Sequence, residues 1–190
     1  MPLNLQVAGR ILVGNALFVV CCAFYIGWWV LRFRPTNQVM GVKSGWLLIP
    51  AAVAGIAGVV FIIWGINVLG SEHALFRNIY VLVGWIVLYV AAYLVTKWLF
   101  DRPVTSELIL ITGWAALALA EVNTLYGAQL LSNVLTVVLI AILGIVLAAC
   151  LVCYVMYYRL DARMGFIDGM IPLVLTGLFL AGVTVRLLVH

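Results

Sequence analysis

The stretch LALAEVNTLYG, residues 117–127, places one carboxylic acid, Glu121, inside an otherwise apolar run. An ionised carboxylate costs roughly 2.5–3.5 kcal/mol to insert at the centre of a membrane-spanning helix, and such residues usually face the bundle interior beside a partner. Glu121 could supply a charge, or it could exchange a proton, because desolvation disfavours the ionised form of a carboxyl group. It is the first candidate for chemistry in this chain.

Other polar residues lie in or at the ends of the apolar stretches and could act together with Glu121. The candidate ligand-binding residues are Glu121, Asn123, Asn67, Asn15, Asn133, Arg10 and Arg186. The amides would supply hydrogen bonds, and the two arginines are candidate ion-pair partners for the carboxylate. An alternative is a buried Glu–Arg or Glu–Asn clamp that only fixes the helix register, with the arginines extending to the membrane interface.

The remaining reactive residue types argue against an enzyme without excluding one. The two cysteine pairs, Cys21-Cys22 and Cys150-x-x-Cys153, lie deep in apolar runs without cationic neighbours, whereas a reactive thiol needs groups that stabilise the thiolate. Two histidines, His73 and His190, lie at a terminus or in a loop and do not suit a haem. A metal site formed by Glu72, His73 and His190 is the weaker alternative. Glycine-rich nucleotide motifs and a G-x-S-G serine motif are absent. We therefore predict no catalytic residues, no metal and no cofactor.

Composition defines the elements that must position these residues. The chain has 190 residues, 67% of them hydrophobic and 8% charged, against roughly 45–50% and 25% in soluble domains. About 20 apolar residues cross a bilayer as a helix, and six segments qualify: 8–31, 45–69, 78–99, 107–126, 131–158 and 170–189. The sequence predicts an all-α, polytopic integral membrane bundle of six transmembrane helices, forming a single transmembrane domain over residues 1–190. A β-barrel is excluded because its strands would alternate apolar and polar residues.

Individual residues within the six segments predict how the helices begin and how they pack. The first segment reads as a retained helix, not a signal peptide, and Asp168 is expected to cap the sixth helix after a loop over residues 161–169. Small residues four apart in the second helix, such as Ala54 and Gly58, predict close helix packing. Trp114, deep in its helix, is expected to pack between helices.

Three stretches share a layout that suggests an internal repeat. AFYIGWWVLRFRP, AAYLVTKWLFDRP and AACLVCYVMYYRLD each run from an alanine through aromatic residues to an arginine at the end of an odd-numbered helix. One hypothesis is three tandem helical hairpins. The alternative is that arginines and interfacial aromatic residues lie there for topological reasons alone.

The cations predict the orientation. Six helices put both termini on one side, and seven of the 10 Lys and Arg residues then lie on the opposite side: Arg32, Arg34, Lys43, Lys97, Arg102, Arg159 and Arg163. Positive charge marks the cytoplasmic side, so both termini are expected on the extracytoplasmic side of the cell membrane. Glu121 lies 14 residues beyond Glu107, about 21 Å along the helix, which places it in the outer third.

The function predicted from this arrangement is translocation of a small solute or ion through an outward-facing polar cavity around Glu121. The alternative is a non-transporting membrane protein that binds a lipid or apolar ligand, or that serves as an accessory subunit. Expected partners are membrane lipids, a small solute or ion, and a second copy or a larger membrane complex. The net charge of +4 comes without a basic run, so nucleic acid is not among them.

Overall fold

A computed structural model describes residues 3–33, 44–68, 78–101 and 106–189 of the chain. Its six α-helices are α1 (Leu3–Phe33), α2 (Leu48–Ile66), α3 (Asn78–Leu99), α4 (Ser106–Gly127), α5 (Asn133–Met156) and α6 (Ala162–Leu188). Short 3-10 turns, Ser44–Leu47 and Tyr157–Arg159, precede α2 and follow α5. Each of the six helices is long and apolar enough to cross a membrane, which confirms the prediction of an all-α membrane bundle and indicates a multi-pass membrane protein.

The start of α6 differs most from the sequence prediction. The helix begins at Ala162, not at residue 170, and its cap is Asp161: the Met164 backbone N–H donates to Asp161 Oδ1 at 2.9 Å. The prediction that Asp168 caps this helix was therefore wrong, because Asp168 already lies in the second turn. The predicted loop 161–169 is almost entirely helical.

Removal of the α6 cap should loosen the first turn of that helix. Asp161→Ala leaves the Met164 N–H without its acceptor, and loss of an N-cap side chain costs about 1 kcal/mol. We expect amide hydrogen exchange at Met164 and its neighbours to become about fivefold faster. Asp161→Asn is the matched control, since asparagine also caps helices and should keep exchange near the wild-type rate. Equal exchange in wild type and Asp161→Ala would contradict the role of the cap.

Helices α1 and α2 approach each other backbone to backbone. A Cβ atom added to Gly14 would lie 2.5 Å from the Ile62 side chain and 3.0 Å from the Gly58 carbonyl oxygen. The relation is reciprocal, since a Cβ on Gly58 would lie 3.0 Å from the Gly14 oxygen. Ala54, one turn before Gly58, is also buried. The small-residue face predicted on α2 therefore packs directly against α1.

Helix α4 forms the centre of the bundle. Half of its most apolar 18-residue window is buried inside the protein, against 11% to 28% for the other five helices. The five consecutive residues from Glu121 to Leu125 are all buried, at 3% exposure or less. Since successive residues point about 100° apart around a helix, α4 is enclosed on every side at this level. It contacts α1, α2, α3 and α5.

The central position of α4 bears on the tandem-hairpin hypothesis. Consecutive helices α1–α2, α3–α4 and α5–α6 do contact each other. Helices α2 and α6, however, are largely peripheral while α4 is central, so the second helices of the three pairs do not occupy equivalent places. The repeat stays a prediction.

The outer surface of the bundle is apolar. Side chains on α2, α3 and α5 that are more than half exposed include Ile49, Val53, Ile56, Val60, Val83, Val87, Val134, Val137 and Ile145. A contiguous apolar surface of this kind is rare on a soluble protein and suits contact with lipid chains.

Candidate functional site

Glu121 and Asn15 meet at the centre of the bundle. The Asn15 amide nitrogen, Nδ2, donates to Glu121 Oε1 at 2.5 Å, and this hydrogen bond joins α1 to α4. Both side chains are 0% exposed. The carboxyl group therefore faces the protein interior and not the lipid, as a buried acid requires.

Two of the four polar side-chain atoms of this pair have no hydrogen-bond partner in the described part of the chain. Within the described residues, Glu121 Oε2 and Asn15 Oδ1 are buried and accept no hydrogen bond. A buried acceptor without a donor costs about 1–3 kcal/mol, and more when it carries charge. The two oxygens can therefore accept a hydrogen bond from a donor or bind a cation.

Neither predicted arginine supplies that cation. The Arg10 guanidinium carbon lies 3.9 Å from the centre of the Trp64 ring, as a cation–π pair between α1 and α2. Arg186 lies part-buried in the last turn of α6, where the helix macrodipole favours a positive charge. Over the residues that the structure describes, Glu121 forms no ion pair with either of them. Asparagine, not arginine, holds the carboxyl group.

The other predicted amides lie apart from the Glu121–Asn15 pair. Asn123 is fully buried but follows Glu121 by two residues, so it points to nearly the opposite side of α4 and makes an interaction of its own. Asn67 is exposed at the end of α2, where its backbone N–H donates to the Ile63 carbonyl at 3.0 Å. Asn133 is exposed at the start of α5. Of the four predicted amides, Asn15 alone is placed against the carboxyl group.

Asn133 instead lines an open depression of about 480 Å³ at the turn between α4 and α5. The residues around it are Tyr126, Gly127, Gln129, Leu131, Ser132 and Asn133. Glu121 is not among them, although Tyr126 follows it by five residues, about 7.5 Å along the axis of α4. The depression and the buried pair therefore lie at neighbouring levels of one helix, with the carboxyl group closed off from it.

The indole nitrogen of Trp114 is a buried polar atom that the sequence prediction did not include, because Trp114 was expected to contribute only packing. Trp114 does pack between helices, with its ring 5.8 Å from that of Phe179 on α6. Its indole Nε1, however, is buried without a partner within the described part of the chain. Trp114 precedes Glu121 by seven residues, so both lie on the same face of α4. Counting tryptophan as a donor, not only as an apolar residue, would have found it.

Comparisons of this chain with protein-family models, with curated proteins and with solved structures found no match.

Proposed function

We propose that this protein is a membrane transporter or channel for a small solute or ion, with Glu121 as the group that binds the moving species. The observation that carries the proposal is the fully buried Glu121–Asn15 pair, in which two oxygens have no hydrogen-bond donor among the residues that the structure describes. Burial of such an incompletely satisfied acid costs stability, and in membrane proteins these residues typically mark an ion or proton pathway.

The proposed orientation places both termini on the extracytoplasmic side of the cell membrane, because seven of the ten cations then lie inside. The depression at Tyr126 and Asn133 would then open outward, about 7.5 Å along α4 from Glu121. In this proposal the described conformation is a closed state, since Glu121 has no exposed surface. Transport would require α1 and α4 to separate near Asn15.

A second candidate function is favoured by the same closed packing. A membrane protein that binds a lipid or apolar ligand, or that serves as an accessory subunit, could use the hydrogen bond between Asn15 and Glu121 only to join α1 to α4. In that case the carboxyl group would have no moving partner. The two functions differ in whether removal of the acid changes permeability.

The test compares two variants that each remove one acid from α4. Glutamine removes the ionisable group that would bind the moving species, and a hydrogen bond to a charged group is worth about 1.5–3 kcal/mol. Since about 1.4 kcal/mol corresponds to a factor of ten, Glu121→Gln should lower the flux of protons or a small solute into liposomes at least about tenfold. Glu107→Gln removes an exposed acid from the first turn of the same helix and should keep wild-type flux. Equal permeability of wild type and Glu121→Gln would rule out transport through this site and favour the second candidate.

A further inference from the structure

The unpartnered atoms of the buried pair show which chemistry it can accept. An ionised carboxylate only accepts hydrogen bonds, whereas a protonated one has one O–H to donate. The Asn15 amide already gives one donor to Glu121 Oε1, and both atoms that remain, Glu121 Oε2 and Asn15 Oδ1, are acceptors. A single proton on Oε2 would turn one of these acceptors into a donor for the other.

The surroundings of the pair favour a neutral carboxyl group, because Glu121 has a hydrogen bond from Asn15 but no ion-pair partner among the described residues. Helix α2 carries no ionisable side chain. The ionisable residues on the other helices of the bundle are Arg10, Cys21, Cys22, Tyr25 and Arg32 on α1, Tyr80, Tyr89, Tyr93 and Lys97 on α3, Cys150, Cys153 and Tyr154 on α5, and Arg163, Asp168 and Arg186 on α6.

Five of these residues carry a positive charge, and the described contacts engage two of the five, Arg10 and Lys97, elsewhere. The Arg10 guanidinium lies over Trp64, and the Lys97 amine contacts the Tyr93 hydroxyl at 3.4 Å on an exposed surface. Within the described residues Glu121 has no ion-pair partner. An isolated negative charge in such an interior is strongly disfavoured, and the group takes up a proton instead.

We propose that the species bound at this site is a proton, carried by Glu121 as a carboxylic acid in the closed state. The Asn15 Nδ2–H donates to Oε1, and the Oε2–H donates to Asn15 Oδ1, so the acid and the amide form a ring of two hydrogen bonds. The proposal names the substrate of the proposed function and so rests on it: the protein moves protons, alone or together with a solute.

The proton cycle follows from this ring. A hydronium ion gives its proton to Oε2: one O–H bond of hydronium breaks, the Oε2–H bond forms, and a water molecule is left. The new O–H then donates a hydrogen bond to Asn15 Oδ1. On release, the Oε2–H bond breaks, a water molecule takes the proton as hydronium, and the hydrogen bond to Oδ1 is lost. The negative charge left in the core demands water or a cation nearby. Loss of the proton therefore favours opening between α1 and α4, and its return favours closure.

Infrared spectroscopy of the protein in lipid nanodiscs tests for this proton directly, without relying on flux. At neutral pH the wild type should show the C=O stretch of a protonated carboxyl group, and ¹³C-labelled glutamate should shift that band. Glu121→Gln should lose it, and Glu107→Gln should retain it. The glutamine variant is expected to fold, since two primary amides can form the same ring with Asn15. Asn15→Leu is a second variant that keeps the acid but removes its acceptor, and it should move the band to a different frequency.

The outcomes distinguish a bound proton from a bound metal cation. A cation is the alternative because Glu121 Oε2 and Asn15 Oδ1 are both oxygen ligands. Loss of the band in Glu121→Gln but not in Glu107→Gln, with equal melting temperatures in sodium and choline chloride, supports the proton. Absence of the band in the wild type overturns it. A melting temperature that sodium raises in the wild type but not in Glu121→Gln also overturns it, in favour of a sodium site.

The flux measurement is independent of this result. A band that disappears in Glu121→Gln, in a protein that conducts nothing, would overturn transport and leave a protonated structural acid. Flux that depends on Glu121, in a protein without the band, would keep transport and overturn the proton.

Discussion

Gly14→Leu is expected to prevent α1 from packing on α2 and to abolish most of the folded protein. A Cβ at this position would lie 2.5 Å from Ile62 and 3.0 Å from the Gly58 carbonyl oxygen, and a backbone atom cannot move aside as a flexible side chain can. Insertion of extra carbons into a packed interior typically costs about 1–3 kcal/mol. A leucine that separates two backbones should reach the upper end of that range or exceed it.

Gly9→Leu is the control for this variant. Gly9 lies on the same helix and is exposed, and a Cβ there would meet no atom of the described residues within 4 Å, so the leucine would extend away from the bundle. Both variants replace a glycine of α1 with leucine, so they differ only in position. Only Gly14→Leu should lower the melting temperature and the yield of monodisperse protein in detergent. Similar losses in the two variants would show that the glycine contact with Gly58 does not hold α1 against α2.

The sequence predicted the six helices because each apolar run is long enough to span a bilayer by itself, and that requirement is local. The predicted start of α6 was wrong because residues 162–169 are not apolar enough to belong to such a run. The capping signal was nevertheless present: Asp161 directly precedes Ala162, Arg163 and Met164, three residue types that favour helices. A search for caps as well as for hydropathy would have found this helix start.

The buried position of Glu121 was also predictable, because the cost of a charge in lipid forces an acid to face the interior. The residue that hydrogen-bonds to it, Asn15, could not be singled out from the sequence. Depth along each helix follows from counting residues, but the direction in which a side chain points depends on which helices are neighbours. Arg10 lies near the end of its helix against Trp64 of α2, whereas Asn15, five residues later, faces α4. Asn67 and Asn133 were therefore expected near the carboxyl group from their depth in the membrane alone, but both lie exposed at helix ends.

The pair of Asn15 and Glu121 should show strong coupling in a double-mutant cycle. Asn15→Leu leaves a buried acid without its donor, and Glu121→Leu leaves a buried amide without its acceptor, so each single change should cost about 1–3 kcal/mol of unfolding free energy. Replacement of both partners removes every unsatisfied group at once and can be nearly neutral. The double variant should therefore be more stable than the sum of the single changes predicts, by about 0.5–3 kcal/mol, as measured by unfolding in denaturing detergent.

The matched control pairs Glu121→Leu with Asn67→Leu, since Asn67 is exposed at the end of α2, whereas the side chain that hydrogen-bonds the acid is Asn15. Those two changes should add, as changes at separate sites do. Additive energies for Asn15 and Glu121 as well would contradict their coupling. The double variant also separates proton binding from helix packing, because it restores the packing of α1 on α4 while it removes the proposed proton site. We expect it to fold and to show no flux, whereas wild-type flux in this variant would mean that the pair serves only to join the helices.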